Sequence, residues 1–272
     1  MPQDEADRCV GEDAKQVAQY IFDTFYSDAD RSRQKPPRIE LAHLTVRQYL
    51  NAAADLIGSF AGEGQLDEKR GLKGQYFNAR NFRGDKRALE RIDPQVAFEF
   101  GGESPDPAKI GKDEFAIQWQ GGVIADETGE YEFCLKADNG ARLWVNDMQK
   151  PLIDAWVKSG DELDHVASIR LLGGRVVPVR LDYSKFQSKS ATVALEWTPP
   201  HRVRTVIPAR NLSPNWCPPV LVVNTPFPAD DSSVGYERGT SVSAAWDQAT
   251  TEAALEIAPH DWAIESTRHS SL

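Results

Sequence analysis

Sulfur and basic charge are what this sequence has least of. Its three cysteines, Cys9, Cys134 and Cys217, lie far apart and form no CxxC or CxxCH. That excludes a zinc clasp and a haem attachment site. Lys and Arg number 31 against 41 Asp and Glu, for a formal net charge of -10. A chain this acidic lacks the basic surface that a nucleic-acid partner requires. No apolar run is long enough to cross a bilayer. The opening residues, Met1-Pro-Gln-Asp-Glu-Ala-Asp-Arg8, are polar and read as no signal peptide. His43, His165, His201, His260 and His269 show no metal-binding spacing. There is no GxSxG, HExxH or P-loop, so no catalytic residue is assigned.

What is present is alternation. Thr128 to Asn146 organises the rest of the chain. Tyr131, Phe133, Leu135 and Ala137 alternate with Glu130, Glu132, Cys134 and Lys136. A period of two places one face in a core and the other outward. Cys134 then reads as a small packed residue rather than a reactive thiol. Asp138-Asn139-Gly140 breaks the run, and Ala141, Leu143 and Val145 resume it. Asx and Gly residues suit a tight reversal, so the stretch predicts a hairpin with a carboxylate and an amide at its tip.

Helices are expected at both ends. Val17, Tyr20, Ile21 and Phe25 follow helical spacing over residues 14–25. Thr45-Val-Arg-Gln48 reads as a capping box, with Leu44 and Tyr49 as its hydrophobic staple and Gly58 as a stop. Trp246, Ala249, Thr250, Ala253 and Ile257 mark a last helix, which Pro259 is expected to end. Between them lie many short alternating segments. Among these, Asn78 to Arg91 reads as a loop, Gly121-Gly122 as a turn, Gly173-Gly174 as a hairpin turn and Ser184 to Ser190 as a polar loop. Regularly spaced short strands argue for an antiparallel sandwich or barrel. The division is a helical segment at 1–62, a β domain at 63–214, and a Pro-rich linker with a helix at 215–272, which starts a further domain.

Leu72-Lys-Gly-Gln-Tyr-Phe77, Phe115-x-Ile-x-Trp119, Gly121-Gly-Val-Ile124, Thr128-Gly-Glu-Tyr-Glu-Phe133, Asp138-Asn-Gly-x-Arg-Leu-Trp-Val-Asn146, Leu152-Ile-Asp-x-Trp156 and Leu195-Glu-Trp197 together resemble a protective-antigen-type (PA14) domain. The resemblance covers roughly residues 71–213. It implies a mainly β fold, an antiparallel β-sandwich with α-helical extensions at both ends. Many members bind glycans or sit beside carbohydrate-active domains. The flanks, at 18–26, 44–51 and 235–243, resemble segments of planctomycete-type multidomain surface proteins that carry cytochrome-c-like and helical domains. That implies an extracytoplasmic piece of a longer protein, whose partners would be its neighbouring domains.

The family's lectin-type members hold calcium with two adjacent Asp residues at the central turn, and the ion holds sugar hydroxyls. Here Asp138 matches the first and Asn139 replaces the second. The resemblance makes Asp138 and Asn139 the calcium candidates, and adds Lys185 and Gln187 from the second loop as ligand-binding candidates. An amide ligates calcium without neutralising it, and Lys185 and Lys189 would repel a cation. Trp119, Trp144, Trp156 and Trp197 suit sugar stacking, but their strand context favours core packing. The expectation is a non-catalytic carbohydrate-binding-type module. The alternatives are a scaffold or protein-interaction module with no sugar site, and part of a polysaccharide-acting enzyme.

Overall fold

The computed structural model describes residues 11–26, 44–61, 68–157, 163–229 and 244–269. Cys9 and His43 lie outside them, as does the resemblance at 235–243. The chain forms two units. In one of them stands α1 (Glu12–Phe25), with Val17, Tyr20 and Ile21 exposed. The other contains a β-sandwich and two helices.

One sheet of the sandwich runs β2 (Arg87–Asp93), β1 (Leu72–Phe77), β4 (Glu114–Ile124), β9 (Val176–Phe186), β6 (Gly140–Val145) and β7 (Ile153–Ala155), with β12 (Leu212–Ser213) also on β4. The second runs β11 (Thr205–Val206), β10 (Thr192–Thr198), β5 (Gly129–Ala137) and β8 (Asp164–Leu171), with β3 (Ala97–Glu99) also on β10. Every pairing is antiparallel. The expected antiparallel sandwich is therefore the fold. Its core fills from the alternating positions: Tyr131, Phe133 and Leu135 from β5 meet Leu143 from β6 and Leu181 and Tyr183 from β9. Trp119 and Trp197 lie fully inside, Trp119 stacked on Phe98 at 5.7 Å and Trp197 tilted on Tyr131 at 5.1 Å.

Several local expectations change. β5 and β6 do not pair; they belong to different sheets. Asp138-Asn139-Gly140 is thus a corner between sheets and not a hairpin turn, and none of the three residues has positive φ. Gly140 is needed for space, because a Cβ there would stand 2.8 Å from the Trp156 carbonyl oxygen. Gly173-Gly174 likewise leads from β8 in one sheet to β9 in the other. Gly121 and Gly122 are mid-strand in β4. Side chains there would strike the Ser213 carbonyl at 2.1 Å and the Val176 side chain at 2.5 Å. Part of the expected loop 78–91 is β2, an edge strand whose charged side chains hide the alternation.

A second, smaller core joins the helices to the sandwich. Leu50, Ala53 and Ala54 of α2 (Val46–Ala61) pack with Ala253 of α3 (Ala244–His269), Val223 and Leu172. The capping box forms: Thr45 N donates to Gln48 Oε1 at 2.9 Å, and Gln48 N donates to Thr45 Oγ at 3.1 Å. Tyr49 packs on Phe227 and Trp246 at 5.0 and 6.1 Å, while Leu44 is 47% exposed. Neither expected stop ends its helix. α2 passes Gly58 and α3 passes Pro259. Glycine costs a helix about 1 kcal/mol, which tertiary packing overrides, and proline can kink a helix rather than break it.

Candidate functional site

The corner between β5 and β6 is built on one carboxylate. Asp138 Oδ1 accepts from Thr192 N at 2.8 Å, Asn139 Nδ2 at 2.6 Å and the Tyr183 hydroxyl at 3.1 Å. Its Oδ2 accepts from Ser190 Oγ at 2.8 Å. Asn139 Nδ2 also lies 3.0 Å from both the Tyr183 oxygen and the Ser190 carbonyl. The two sheets and the segment before β10 are thereby tied to a single side chain. Burial, followed by the negative charge of Asp138, pushes the Tyr183 phenol well above its ordinary range. Tyr183 therefore stays a protonated donor, as the knot requires.

The candidate residues separate. Asp138 and Asn139 sit together at the corner, half-buried. Gln187 is exposed, follows β9 with φ 52°, and donates its backbone N–H to the Asp113 carbonyl at 2.9 Å. Lys185 is no loop residue. It lies in β9, 1% exposed, with its ammonium 5.6 Å from the centre of the Phe115 ring. Its place on the inward register of β9, beside Phe115 of β4, explains this. Two of the four tryptophans leave the core. Trp144 and Trp156 are half-buried outside it, each facing a guanidinium: Arg180 at 4.7 Å and Arg142 at 5.0 Å.

Trp156 brings in residues that sequence reasoning did not assign. Phe82 leans on its ring at 6.1 Å. Arg142 Nε donates to Asp154 Oδ1 at 2.9 Å, and Asp154 also accepts from Trp156 N at 3.1 Å. The Arg142 interaction comes first in holding the Asp154 carboxyl below its ordinary range. Asp154 also lines a groove of about 460 Å³ between β7 and β8, with Asp164 and His165 on its wall. The signal for this group was the Asp154-x-Trp156 spacing, which sets Asp154 on the outward face of the edge strand β7 and Trp156 in the bend just after it.

Calcium takes about six to eight oxygens and favours several negative charges. No group of three His, Cys, Asp or Glu side chains able to hold a metal ion occurs among the described residues. The Asp138 oxygens face four hydrogen-bond donors, so the corner as arranged does not fit the ion. What it does offer is a fixed polar edge beside an aromatic cluster and an arginine–carboxylate pair.

The PA14 domain family model matches residues 68–211. The anti-sigma-I factor RsgI3 of Acetivibrio thermocellus is 32% identical over 145 residues, 53% of this chain. The chain spans about a fifth, 21%, of that relative's length. An anti-sigma factor domain-containing protein from Clostridium clariflavum is similar in structure, with 31% identity, a TM-score of 0.47, and coverage of 53% of this chain and 47% of that one. A PA14 sugar-binding domain from an RTX adhesin aligns at 15% identity and a TM-score of 0.42, over 54% of this chain and 99% of that one.

Proposed function

The chain belongs to the PA14 domain family, and on that footing we propose that it is a non-catalytic carbohydrate-binding-type module of a larger extracytoplasmic protein. Its sugar site is the side of the sandwich where the Asp138–Gly140 corner meets Trp156. The observation that carries this reading is the Trp156 cluster. A half-buried indole, the Arg142–Asp154 pair and the rim of a groove of about 460 Å³ stand together against a corner locked by Asp138. A sugar ring needs an apolar face to lie on and fixed planar groups for its hydroxyls, both held in place before it arrives. Asn139 and Gln187 extend the polar edge. Lys185 has no part in contact, since it is buried.

A glycan array, read in calcium and in chelator, tests the proposal. Saturable binding to a glycan class, weakened about tenfold in Trp156→Ala and retained in chelator, is expected. A silent array, or equal binding by Trp156→Ala, would count against it.

A scaffold reading has its own support. The second core fixes α2 and α3 to the sandwich through Leu172, a rigid base for neighbouring domains. The relative named as an anti-sigma-I factor is a regulatory protein. Capture of flanking parts of the parent protein by this chain, with a silent array, would favour that reading.

A further inference from the structure

The second sheet ends on a strand whose outer edge is open. β8 pairs with β5 along one side, from Lys136↔Asp164 to Gly129↔Leu171. Ala137 N donates to the Leu163 carbonyl at 3.0 Å, which fixes the phase of this ladder. Backbone groups turn to alternate sides along a strand, so those of His165, Ala167 and Ile169 also face β5. Those of Asp164, Val166, Ser168 and Arg170 face away from it, and no hydrogen bond takes them up among the described residues.

The other edges are blunted. β3 and β7 are three residues long and β11 is two. β2 meets its neighbour with a register shift and carries Arg87, Glu90 and Arg91 along its length. β8 runs for 8 residues with no shift in register. Val166, near its middle, is 46% exposed. The groove of about 460 Å³ lies beside Asp164, His165 and Val166, so this stretch of the edge has room for a neighbour. A long open edge with an uncharged middle is a template for another strand.

This edge is complementary to itself. Ala167 and Ile169 pack on the core, which leaves the side chains of Asp164, Val166, Ser168 and Arg170 on the outer face. The two charges stand at the ends of that row and have opposite sign. Arg170 forms no ion pair among the described residues, and its buried Nε has no hydrogen-bond partner. Asp164 has one ion pair, with Arg204 at 3.4 Å, and both side chains are exposed. A pair of that kind contributes little, so Asp164 is free to meet a better partner. Two β8 strands laid antiparallel about a two-fold axis at Ala167 set Asp164 opposite the partner's Arg170, and the axis repeats the pair. Val166 then stands opposite the partner's Ser168. Sliding one strand by two residues loses both ion pairs, and sliding it by one turns its open backbone groups the wrong way.

We propose that β8 is the interface of a symmetric dimer, in which a second copy of this chain joins the two second sheets edge to edge. The contact is isologous: the same strand on both subunits, in the register that pairs Asp164 with the partner's Arg170. About eight backbone hydrogen bonds and the repeated ion pair hold it. The inference does not rest on sugar binding.

Sedimentation equilibrium of the whole chain over a range of concentrations tests it. A monomer–dimer equilibrium that weakens with added salt is expected. Val166→Pro removes an outward N–H and leaves the ladder to β5 intact, so it should abolish the dimer while the monomer melts as a folded protein. Asp164→Arg and Arg170→Asp each set like charges opposite one another and should each weaken dimerisation about tenfold. An equimolar mixture of these two should recover it, because each variant supplies the charge that the other lacks. Recovery also shows that both variants are folded. A chain that stays monomeric into the millimolar range, or a dimer unchanged by Val166→Pro, would overturn the proposal. So would folded charge variants that fail to recover in the mixture. A monomer that instead takes up an extended peptide from elsewhere in the parent protein would make β8 an edge for a different strand and refute the second copy.

Discussion

Asn146 and Val220 exchange two hydrogen bonds. The Asn146 amide donates to the Val220 carbonyl at 2.8 Å, and Val220 N donates back to Asn146 Oδ1 at 2.7 Å. One side chain thus replaces a strand as the partner of a backbone segment. It does so at the end of β6, from a left-handed conformation with φ 64°. Val220 packs against both hydrophobic cores, so this pair couples the sandwich to the helical layer. Asn146→Ala removes both bonds and forces alanine into an unfavourable backbone region, for an expected loss of about 2–4 kcal/mol. Asn146→Gly keeps the conformation accessible and should lose less. Urea denaturation of the two variants checks the order.

Asp93 anchors a buried polar knot. It accepts from the Tyr76 hydroxyl at 2.5 Å, Trp119 Nε1 at 2.7 Å and Arg91 Nε at 2.7 Å. Burial, then the contact with Asp93, drives the Tyr76 phenol far above its ordinary range, so it remains a donor. Asp93→Ala strands these donors and should cost about 3–5 kcal/mol. Gly74 makes room for the carboxylate, since a Cβ there would lie 2.5 Å from Asp93 Oδ2. Gly74→Ala attacks the same knot from β1. The double variant should then be less destabilised than the sum of the two, read from denaturation midpoints.

α3 docks through a carboxylate that titrates. Glu256 accepts from the backbone N–H groups of Asn224 and Thr225 and from both their side chains. Burial pushes its pKa up, but these donors outweigh it and hold the group below its ordinary range. A depressed pKa contributes stability that is present above the unfolded value and is lost as pH falls through the folded one. Amide-exchange protection over 244–258 should therefore drop as the pH is lowered from about 5 to about 3. Glu256→Gln should show weaker protection at neutral pH and little further change across that window. Equal protection in both proteins at every pH would refute the linkage.

The sandwich was legible because alternation reports burial directly. Tyr131, Phe133 and Leu135 point inward whatever strand lies beside them. Pairing was not legible. A hairpin and a corner between sheets share the same period of two, so Asp138-Asn139-Gly140 looked like a hairpin tip. Glycines misled for a related reason. Gly121 and Gly122 signal close approach of a distant segment, which a local reading takes for a turn. The Thr45–Gln48 box was correctly read, because its chemistry lies within four residues. Lys185 was misplaced because the polar run around it conceals the inward register of β9. Trp144 and Trp156 were misplaced because the size of an indole was weighed above its phase: Trp144 is out of step with the inward Leu143 and Val145, and Trp156 with the inward Ile153 and Ala155.

The cation question at the corner turns on position 139. Asn139 Nδ2 donates to Asp138 Oδ1 at 2.6 Å, so Asn139→Asp would set two carboxylates against each other. Like charges that close disfavour the folded state unless a proton or cation intervenes. In chelator the variant should melt below the parent chain. Millimolar calcium should restore it, because an ion that binds the folded state alone stabilises it in proportion to RT ln(1 + [L]/Kd). The parent chain should melt at the same temperature in calcium and in chelator, since its Asp138 oxygens already meet four donors. A calcium-dependent rise in the parent's Tm would show that the corner rearranges to take the ion. A variant that calcium fails to rescue would show that the Ser190 and Thr192 contacts keep the ion out even when the charge is supplied.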